Sequence, residues 1–279
     1  MSTIVLIHGL WMTPLSWRGW RERLESRGHK VLAPGWPGVD DRDVEAIRRD
    51  PSALEGLGIK EIADHYESII RRLDAPPIIM GHSFGGLATQ ILLDRGLGSA
   101  GVGVSAAPIR GIFGLPYSTV RVAMSGGLKN PFGKGKTVML TPRQFHYAFT
   151  NTLGTDEATA VYERLPIPGP ARTLFQAAFA NVNPHAVTKV NYRSDDRAPL
   201  LLIAAGKDNV VPASTSRSAF KLQSKSRAKT ELKEYPNRSH YIVGEPGWEE
   251  VADHALDWAE QNANSPSTWG SSGADSERP

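Results

Sequence analysis

Cysteine is absent from the 279-residue sequence. The chain therefore has no disulfide bonds, no thiolate ligands for a metal ion and no cysteine nucleophile. Long apolar runs are absent as well, because stretches such as residues 199–205 fall far short of the roughly 20 residues that a membrane-spanning helix needs. The first residues lead straight into the apolar stretch 4–7, without a basic leader or a cleavage site. We therefore expect a cytoplasmic protein that does not enter a membrane.

A large excess of charge of one sign is also missing. The sequence has 32 Lys and Arg against 29 Asp and Glu, and its net charge of +3 comes from scattered positions rather than from a basic stripe. This distribution argues against a nucleic-acid partner. The sequence contains neither a His-Glu-x-x-His motif nor a paired histidine spacing, so we predict no metal site and no cofactor. The expected partner is a small-molecule substrate.

Short apolar stretches that alternate with helical patterns make up most of the chain. With 40% hydrophobic residues, the chain can bury the core of one sizeable domain and still leave room for an insertion. The alternation is typical of an α/β fold with a mostly parallel sheet flanked by helices. We predict about six strands in a core of residues 1–107 and 198–261. The predicted strands are residues 4–7, 30–33, 77–80, 102–105, 200–205 and 231–235.

The alternation stops between residues 108 and 197, where Gly, Pro, Phe and Tyr are frequent. An irregular connection of this length would be unusual, because structureless loops longer than about 15 residues are uncommon in compact domains. Helical patterns near 141–150, 155–165 and 170–180 lead us to predict that residues 108–197 form an inserted helical lid. Ser, Pro, Gly and Asp dominate residues 262–279, which we expect to be a disordered tail.

The first candidate for chemistry is the sequence Gly-His-Ser-Phe-Gly-Gly at residues 81–86, between a predicted strand and a predicted helix. A Gly-x-Ser-x-Gly sequence in this context is typical of a sharp turn that exposes the serine hydroxyl at a helix N-terminus. Backbone N–H groups and the helix dipole favour developing negative charge at that point. We therefore predict Ser83 as a nucleophile. The alternative is a glycine-rich turn whose serine only caps the helix.

A serine hydroxyl needs a base, and a carboxylate must hold that base in one tautomer. Asp208 follows the predicted strand 200–205 and so lies at the carboxyl edge of the sheet, where α/β folds gather their site residues. His240 lies in a turn-rich segment between the last predicted strand and the last helix. We predict Asp208 as the orienting acid and His240 as the base. The alternatives are a turn-capping aspartate and a surface histidine.

Two backbone N–H groups are the usual donors to an oxyanion. We assign one to Phe84, the residue after the predicted nucleophile. The other would come from the loop after the first strand, where Gly9 lets the chain turn and Leu10 is the predicted donor. Trp11 is an alternative donor, and its ring either lines an acyl pocket or packs in the core. Trp11 and His82 are our candidate substrate-binding residues.

Together, His8-Gly9, the serine motif at 81–86, Asp208 and His240 resemble the elements of the α/β-hydrolase superfamily, in its serine hydrolase branch with an esterase-like lid. The resemblance extends from about residue 3 to residue 260. It implies the nucleophile, acid, base and oxyanion donors assigned above, with a lid over the site. Because residue 83 is serine rather than aspartate, the haloalkane dehalogenase and epoxide hydrolase branches are disfavoured.

Three functions are compatible with these residues. We favour hydrolysis of a carboxylic ester or lactone of a small to medium apolar substrate, through an acyl-enzyme on Ser83. A carbon–carbon bond hydrolase or a cofactor-free perhydrolase would use the same triad, and a non-catalytic ligand-binding protein would keep the fold without turnover. The lid offers several candidates for an apolar lining, and the alternative is that most of them form the core of the lid: Phe113, Tyr117, Met124, Phe145, Phe149, Phe175 and Phe179.

Overall fold

The computed structural model describes residues 1–39, 43–114 and 116–264. Its strands in these ranges are β1 (Thr3–Ile7), β2 (Lys30–Leu32), β3 (Ile78–His82), β4 (Ala100–Val104), β5 (Thr137–Val138), β6 (Gly169–Pro170), β7 (Leu200–Ala205) and β8 (Thr230–Tyr235). Its α-helices are α1 (Arg18–Ser26), α2 (Val44–Arg49), α3 (Ile59–Ile70), α4 (Phe84–Asp94), α5 (Tyr117–Ala123), α6 (Pro142–Ala148), α7 (Thr155–Arg164), α8 (Ala171–Ala178), α9 (Ala213–Gln223) and α10 (Trp248–Asn262).

Six of the strands in the described residues form one parallel sheet, in the order β2-β1-β3-β4-β7-β8. Every residue of β3, β4 and β7 is buried, because helices cover both faces of the sheet. This explains why residues 200–205 are a continuous apolar run rather than an alternating one. The predicted fold class, an α/β fold with a six-stranded parallel sheet, is confirmed.

The helices pack on the sheet with the faces that their sequences define. In α3, the residues Ile59, Ile62, Tyr66 and Ile70 recur at helical spacing and are buried. In α4, every residue from Phe84 to Leu93 is buried, so this helix lies in the centre of the molecule. None of the helices in the described ranges is both long enough and apolar enough to cross a membrane.

We call residues 108–197 the insertion and residues 1–107 with 198–261 the core. In its described part, the insertion contains α5 to α8 and the short antiparallel pair β5–β6. Thr141 and Gln144 form a reciprocal capping box at the start of α6, which explains where that helix begins. Of the predicted tail, Asn262 is the last residue of α10, and residues 265–279 lie outside the described residues.

Candidate active site

Ser83 occupies a sharp turn between β3 and α4. Its φ of 55° and ψ of −117° are rare for a residue with a side chain. The neighbouring glycines permit the turn: a Cβ on Gly81 would lie 2.1 Å from the Gly85 carbonyl oxygen, and one on Gly85 would lie 2.0 Å from the Ile7 carbonyl oxygen. Only glycine fits these two positions, so the close approach of α4 to the sheet depends on them.

Asp208 and His240 form a buried pair. Oδ1 of Asp208 accepts hydrogen bonds from the backbone N–H groups of Val210 at 2.7 Å and Val211 at 2.8 Å. Its other oxygen, Oδ2, lies 2.6 Å from Nδ1 of His240. Both side chains are fully buried, with 0% exposure each, so water does not weaken the interaction. The fold thus brings together two residues that are far apart in the sequence.

The hydrogen bond to Asp208 determines the tautomer of the His240 ring. A carboxylate can only accept, so in the neutral ring Nδ1 carries the proton and Nε2 keeps its lone pair. Nε2 is buried and has no hydrogen-bond partner in the described part of the chain. An unpaired ring nitrogen with a lone pair is the group that a general base requires.

His82 connects the His240 loop to the strand that precedes Ser83. Its Nε2 donates a hydrogen bond to the His240 carbonyl oxygen at 2.8 Å, and the two ring centroids lie 4.6 Å apart. Burial lowers the pKa of His82 well below its usual value, and the neighbouring His240 lowers it further. We expected His82 to contact substrate, but this fully buried side chain is not part of the cavity wall at Ser83. It holds the His240 backbone beside the serine turn instead.

The loop after β1 approaches Ser83 closely. A Cβ on Gly9 would lie 2.9 Å from the Ser83 Cβ, so a larger residue would push the loop away. His8 fixes the loop: Nδ1 donates to the Gly9 carbonyl oxygen at 2.9 Å, and Nε2 accepts from the Trp36 N–H at 3.1 Å. This pattern requires a neutral ring, and burial lowers the pKa of His8 to about 4.

Of the two predicted oxyanion donors, Phe84 follows Ser83 directly and Leu10 follows Gly9, the residue that approaches Ser83. Phe84 is the first residue of α4, and the first N–H groups of a helix have no partner within it. Leu10 follows Gly9, and its N–H donates no backbone hydrogen bond to another described residue.

A small cavity of about 60 Å³ opens at Ser83. Trp11, one of the predicted substrate-binding residues, is part of its wall, and Thr119 contributes a second hydroxyl besides that of Ser83. None of the described residues that form the wall is charged, so the cavity suits a neutral group. The other residues of the wall are apolar: Phe84, Ala107, Pro108, Val122, Ala123, Leu174, Ala177, Ala178, Val210 and Val211.

The candidate lining residues of the insertion lie elsewhere. Phe145 and Phe149 are fully buried and stack on each other, with ring centroids 4.7 Å apart. Phe113 and Tyr117 are largely exposed, at 76% and 79%. Small and branched residues of α5 and α8 form the cavity wall instead, because these are the ones that face Ser83. None of the predicted lining residues belongs to the wall: Phe113, Tyr117, Met124, Phe145, Phe149, Phe175 and Phe179.

Sequence reasoning missed the residues that surround the His240 loop. Phe149 packs against the His240 ring, and buried Glu245 accepts hydrogen bonds from Ser239 and Thr152. A glutamate five positions after the predicted base was the one available signal. The described residues contain no group of three or more His, Cys, Asp or Glu side chains that could hold a metal ion.

The parallel sheet, the strained serine turn and the buried Asp208–His240 pair define a protein with a hydrolase-type site on an α/β fold. The profile of the Alpha/beta hydrolase family matches residues 4–254. The chain belongs to this family and is an enzyme, a hydrolase. No curated protein matches its sequence.

Several solved structures share the fold at low sequence identity. A pyrethroid hydrolase from Sphingobium faniae is 18% identical with a TM-score of 0.65, over 93% of this chain and 97% of the other. A monoacylglycerol lipase from Paleococcus ferrophilus is 22% identical with a TM-score of 0.64, over 94% and 95%. Methylketone synthase I from tomato, in complex with 2-tridecanone, is 16% identical with a TM-score of 0.66, over 94% and 98%. At these identities the likeness establishes the fold.

Proposed function

We propose that this hydrolase cleaves a carboxylic ester or a lactone of a small to medium apolar substrate through an acyl-enzyme on Ser83. The observation that carries the proposal is the buried hydrogen bond of 2.6 Å between Asp208 and His240, which leaves Nε2 of the ring unpaired. His82 binds the backbone of that histidine next to the serine turn. A base held in this way activates a serine hydroxyl.

Acylation follows from the positions of these groups. Nε2 of His240 takes the Ser83 proton as the serine oxygen attacks the carbonyl carbon, and Asp208 stabilises the imidazolium that forms. The N–H groups of Leu10 and Phe84 donate hydrogen bonds to the oxyanion. His240 then gives its proton to the leaving alkoxide, the bond to the alcohol breaks, and the acyl group stays on the serine.

Deacylation reverses these roles. His240 removes a proton from a water molecule, which attacks the acyl carbon, and the proton returns to Ser83 as the carboxylic acid leaves. With a lactone, the released alcohol remains part of the same product. The residues named here supply every proton transfer, so the proposed reaction uses no cofactor.

We assign the substrate class from the cavity and the insertion. The wall at Ser83 is apolar and uncharged, so it favours a neutral acyl or alcohol group over an ionic one. The insertion contributes α5 and α8 to this wall, through residues such as Val122 and Leu174. We therefore propose that it acts as the lid, which keeps water from the acyl-enzyme until the alcohol has left.

The first test is the intact mass of wild type and Ser83→Ala after incubation with a small fluorophosphonate. We expect a single adduct on wild type and none on Ser83→Ala, followed by turnover of a panel of esters and lactones. No adduct on either protein would contradict an activated serine and favour a non-catalytic binding role. Adduct formation with turnover only of diketones would assign the carbon–carbon bond hydrolase instead, and peracid formation would assign the perhydrolase.

The acid is tested with Asp208→Asn, which leaves the shape intact but no longer fixes the histidine tautomer. We expect kcat to fall by about 10⁴, as for orienting acids in other triads. Asp195→Asn is the control, because Asp195 forms an ion pair with Arg227 on the surface at 2.8 Å. A loss below tenfold for Asp208→Asn would show that another carboxylate orients the base.

A further inference from the structure

Residues 147–152 comprise the last two residues of α6 and the four residues that follow it. This segment lies against the loop that carries the proposed acid. Nδ2 of Asn209 donates a hydrogen bond to the Tyr147 carbonyl oxygen at 2.8 Å. Nδ2 of Asn151 donates to the Lys207 carbonyl oxygen at 2.9 Å. Both sequence neighbours of the proposed acid are thus hydrogen-bonded to residues 147–152. We call residues 147–152 the anchored segment.

The anchored segment also contacts the loop that carries His240. The backbone N–H of Tyr241 donates to the Phe149 carbonyl oxygen at 3.0 Å. The centroid of the Phe149 ring lies 4.9 Å from that of the His240 ring, in an edge-on arrangement. One short piece of the insertion therefore contacts the ring of the proposed base and both sequence neighbours of the proposed acid.

Glu245 connects the anchored segment to the His240 loop through hydrogen bonds to both. Its Oε1 accepts the Ser239 N–H at 3.0 Å, and its Oε2 accepts the hydroxyls of Ser239 at 2.8 Å and Thr152 at 2.6 Å. The residue is 3% exposed, and no ion pair in the described part of the chain includes it. A buried carboxylate is costly unless several donors satisfy it, and bonds to a charged acceptor are about twice as strong as neutral ones.

We propose that the anchored segment positions the acid and the base, and that Glu245 is the positioning residue through which Thr152 acts on His240. This inference rests on the proposed serine mechanism. Glu245 does not line the cavity at Ser83, so it acts through Ser239, the residue next to the histidine. Proton transfer needs a distance of about 2.6–3.2 Å, and a misplacement of about 1 Å can cost a hundredfold in rate.

The test is Thr152→Val, which removes one hydroxyl, keeps the side-chain shape and leaves the Glu245–Ser239 bonds in place. We expect kcat on p-nitrophenyl butyrate and the rate of Ser83 phosphonylation to fall about ten- to a hundredfold. KM should change less than about twofold, because no group that lines the cavity is altered.

Two further variants separate positioning from general stability. Thr152→Ser restores the hydroxyl, and we expect it to return kcat to within about threefold of wild type. Thr159→Val is the matched control, since among the described residues the Thr159 hydroxyl bonds only to the Thr155 carbonyl oxygen of its own helix. Its kcat should equal that of wild type.

A double-mutant cycle tests whether Thr152 acts on His240 through Glu245. Glu245→Gln replaces the charged acceptor of the Thr152–Glu245 bond with an amide, and Thr152→Val removes the donor. Because both variants weaken the same bond, their effects on kcat should be less than additive. Full additivity would overturn the role of Glu245. If Glu245→Gln does not fold, the Thr152 series still decides the proposal.

The outcomes distinguish this inference from the proposed function. Wild type that neither forms a phosphonyl adduct nor turns over esters would overturn the serine mechanism, and the positioning role with it. Wild type that reacts while folded Thr152→Val reacts equally fast would overturn the positioning role alone. A lower melting temperature for Thr152→Val with unchanged kcat would likewise show that the Thr152–Glu245 bond only stabilises the fold.

Discussion

Two parts of the insertion are attached to the core in different ways. The anchored segment, residues 147–152, forms hydrogen bonds with the loops after β7 and β8, through partners such as Asn209 and Glu245. Residues 116–135, which we call the cover segment, include α5 and form no hydrogen bond with the core among the described residues. Both parts nevertheless lie at the same site, since one contacts His240 and the two neighbours of Asp208 and the other lines the cavity.

Aromatic side chains are exposed in the cover segment and buried in the anchored segment. In the cover segment, Tyr117 is 79% exposed and Phe132 is 98% exposed, whereas Phe149 of the anchored segment is fully buried. Few buried contacts and exposed apolar side chains indicate low local stability. The insertion therefore combines a buried, hydrogen-bonded segment beside the Asp208–His240 pair with a more exposed segment that lines the cavity.

The largest difference between the two segments should appear in how far a substitution lowers the free energy of unfolding. Phe149→Ala removes a ring that packs on Phe145, Trp11 and His240, so we expect the free energy of unfolding to fall by about 3–5 kcal/mol. Tyr117→Ala in the cover segment should change it by less than about 0.5 kcal/mol. Urea unfolding measures both, and similar values for the two variants would contradict the division of the insertion.

A smaller difference between core and insertion should appear in how the free energy of unfolding depends on pH. We compare His8 in the core with His185 in the insertion. His8 is neutral when folded, with a pKa of about 4, but accepts a proton near pH 6.5 when the chain unfolds. The unfolded state therefore binds more protons between these values, so stability is highest above pH 6.5 and falls as the pH is lowered towards 4, by up to about 3 kcal/mol from this residue.

Urea unfolding at about pH 7 and about pH 4.5 tests this dependence. His8→Gln keeps an acceptor for the Trp36 N–H but cannot titrate, so it should lose less stability on acidification than wild type. His185→Gln, at an exposed position of the insertion, should behave like wild type. An unchanged pH dependence in His8→Gln would show that His8 does not stay neutral in the folded chain.

Limited proteolysis should reveal the low local stability of the cover segment. Trypsin should cut after Lys129 or Lys134 at least about tenfold faster than after Arg143 in α6, because cleavage requires local opening. Mass spectrometry of the fragments gives the order of cuts. If the first cuts come after Arg143, the part of the insertion beside the Asp208 and His240 loops opens more easily than the cover segment. That result would contradict the comparison.

The smallest effect concerns the cavity wall that the cover segment provides. The Thr119 hydroxyl of α5 lines the cavity and has no hydrogen-bond partner in the described residues, so it is free to bind a polar atom of a substrate. Thr119→Val should lower kcat/KM about three- to tenfold for a 3-oxobutyrate ester but not for the matching butyrate ester. Equal changes for the two esters would show that the hydroxyl does not contact the acyl chain.

Much of the fold could be predicted because its signals are local. The buried strand at 200–205 is a continuous apolar run between turns, and the structure has β7 at these residues. The glycines of the serine turn were informative because close approach of the backbone at Gly81 and Gly85 excludes any side chain. Asp208 and His240 could be singled out because chain order and the ends of predicted strands place an acid and a base at one edge of the sheet.

The sequence by itself determined the strands, the serine turn and the positions of Asp208 and His240 after late strands, since each depends on short-range patterns or on backbone sterics. Only the tertiary structure decided which insertion residues line the cavity, that His82 binds the His240 backbone, and that Thr152 reaches Glu245 across 93 positions. These contacts depend on how the insertion packs on the core. A hydrogen bond between distant loops leaves no periodic signal in the sequence, because it constrains single residues rather than a face of a helix or strand.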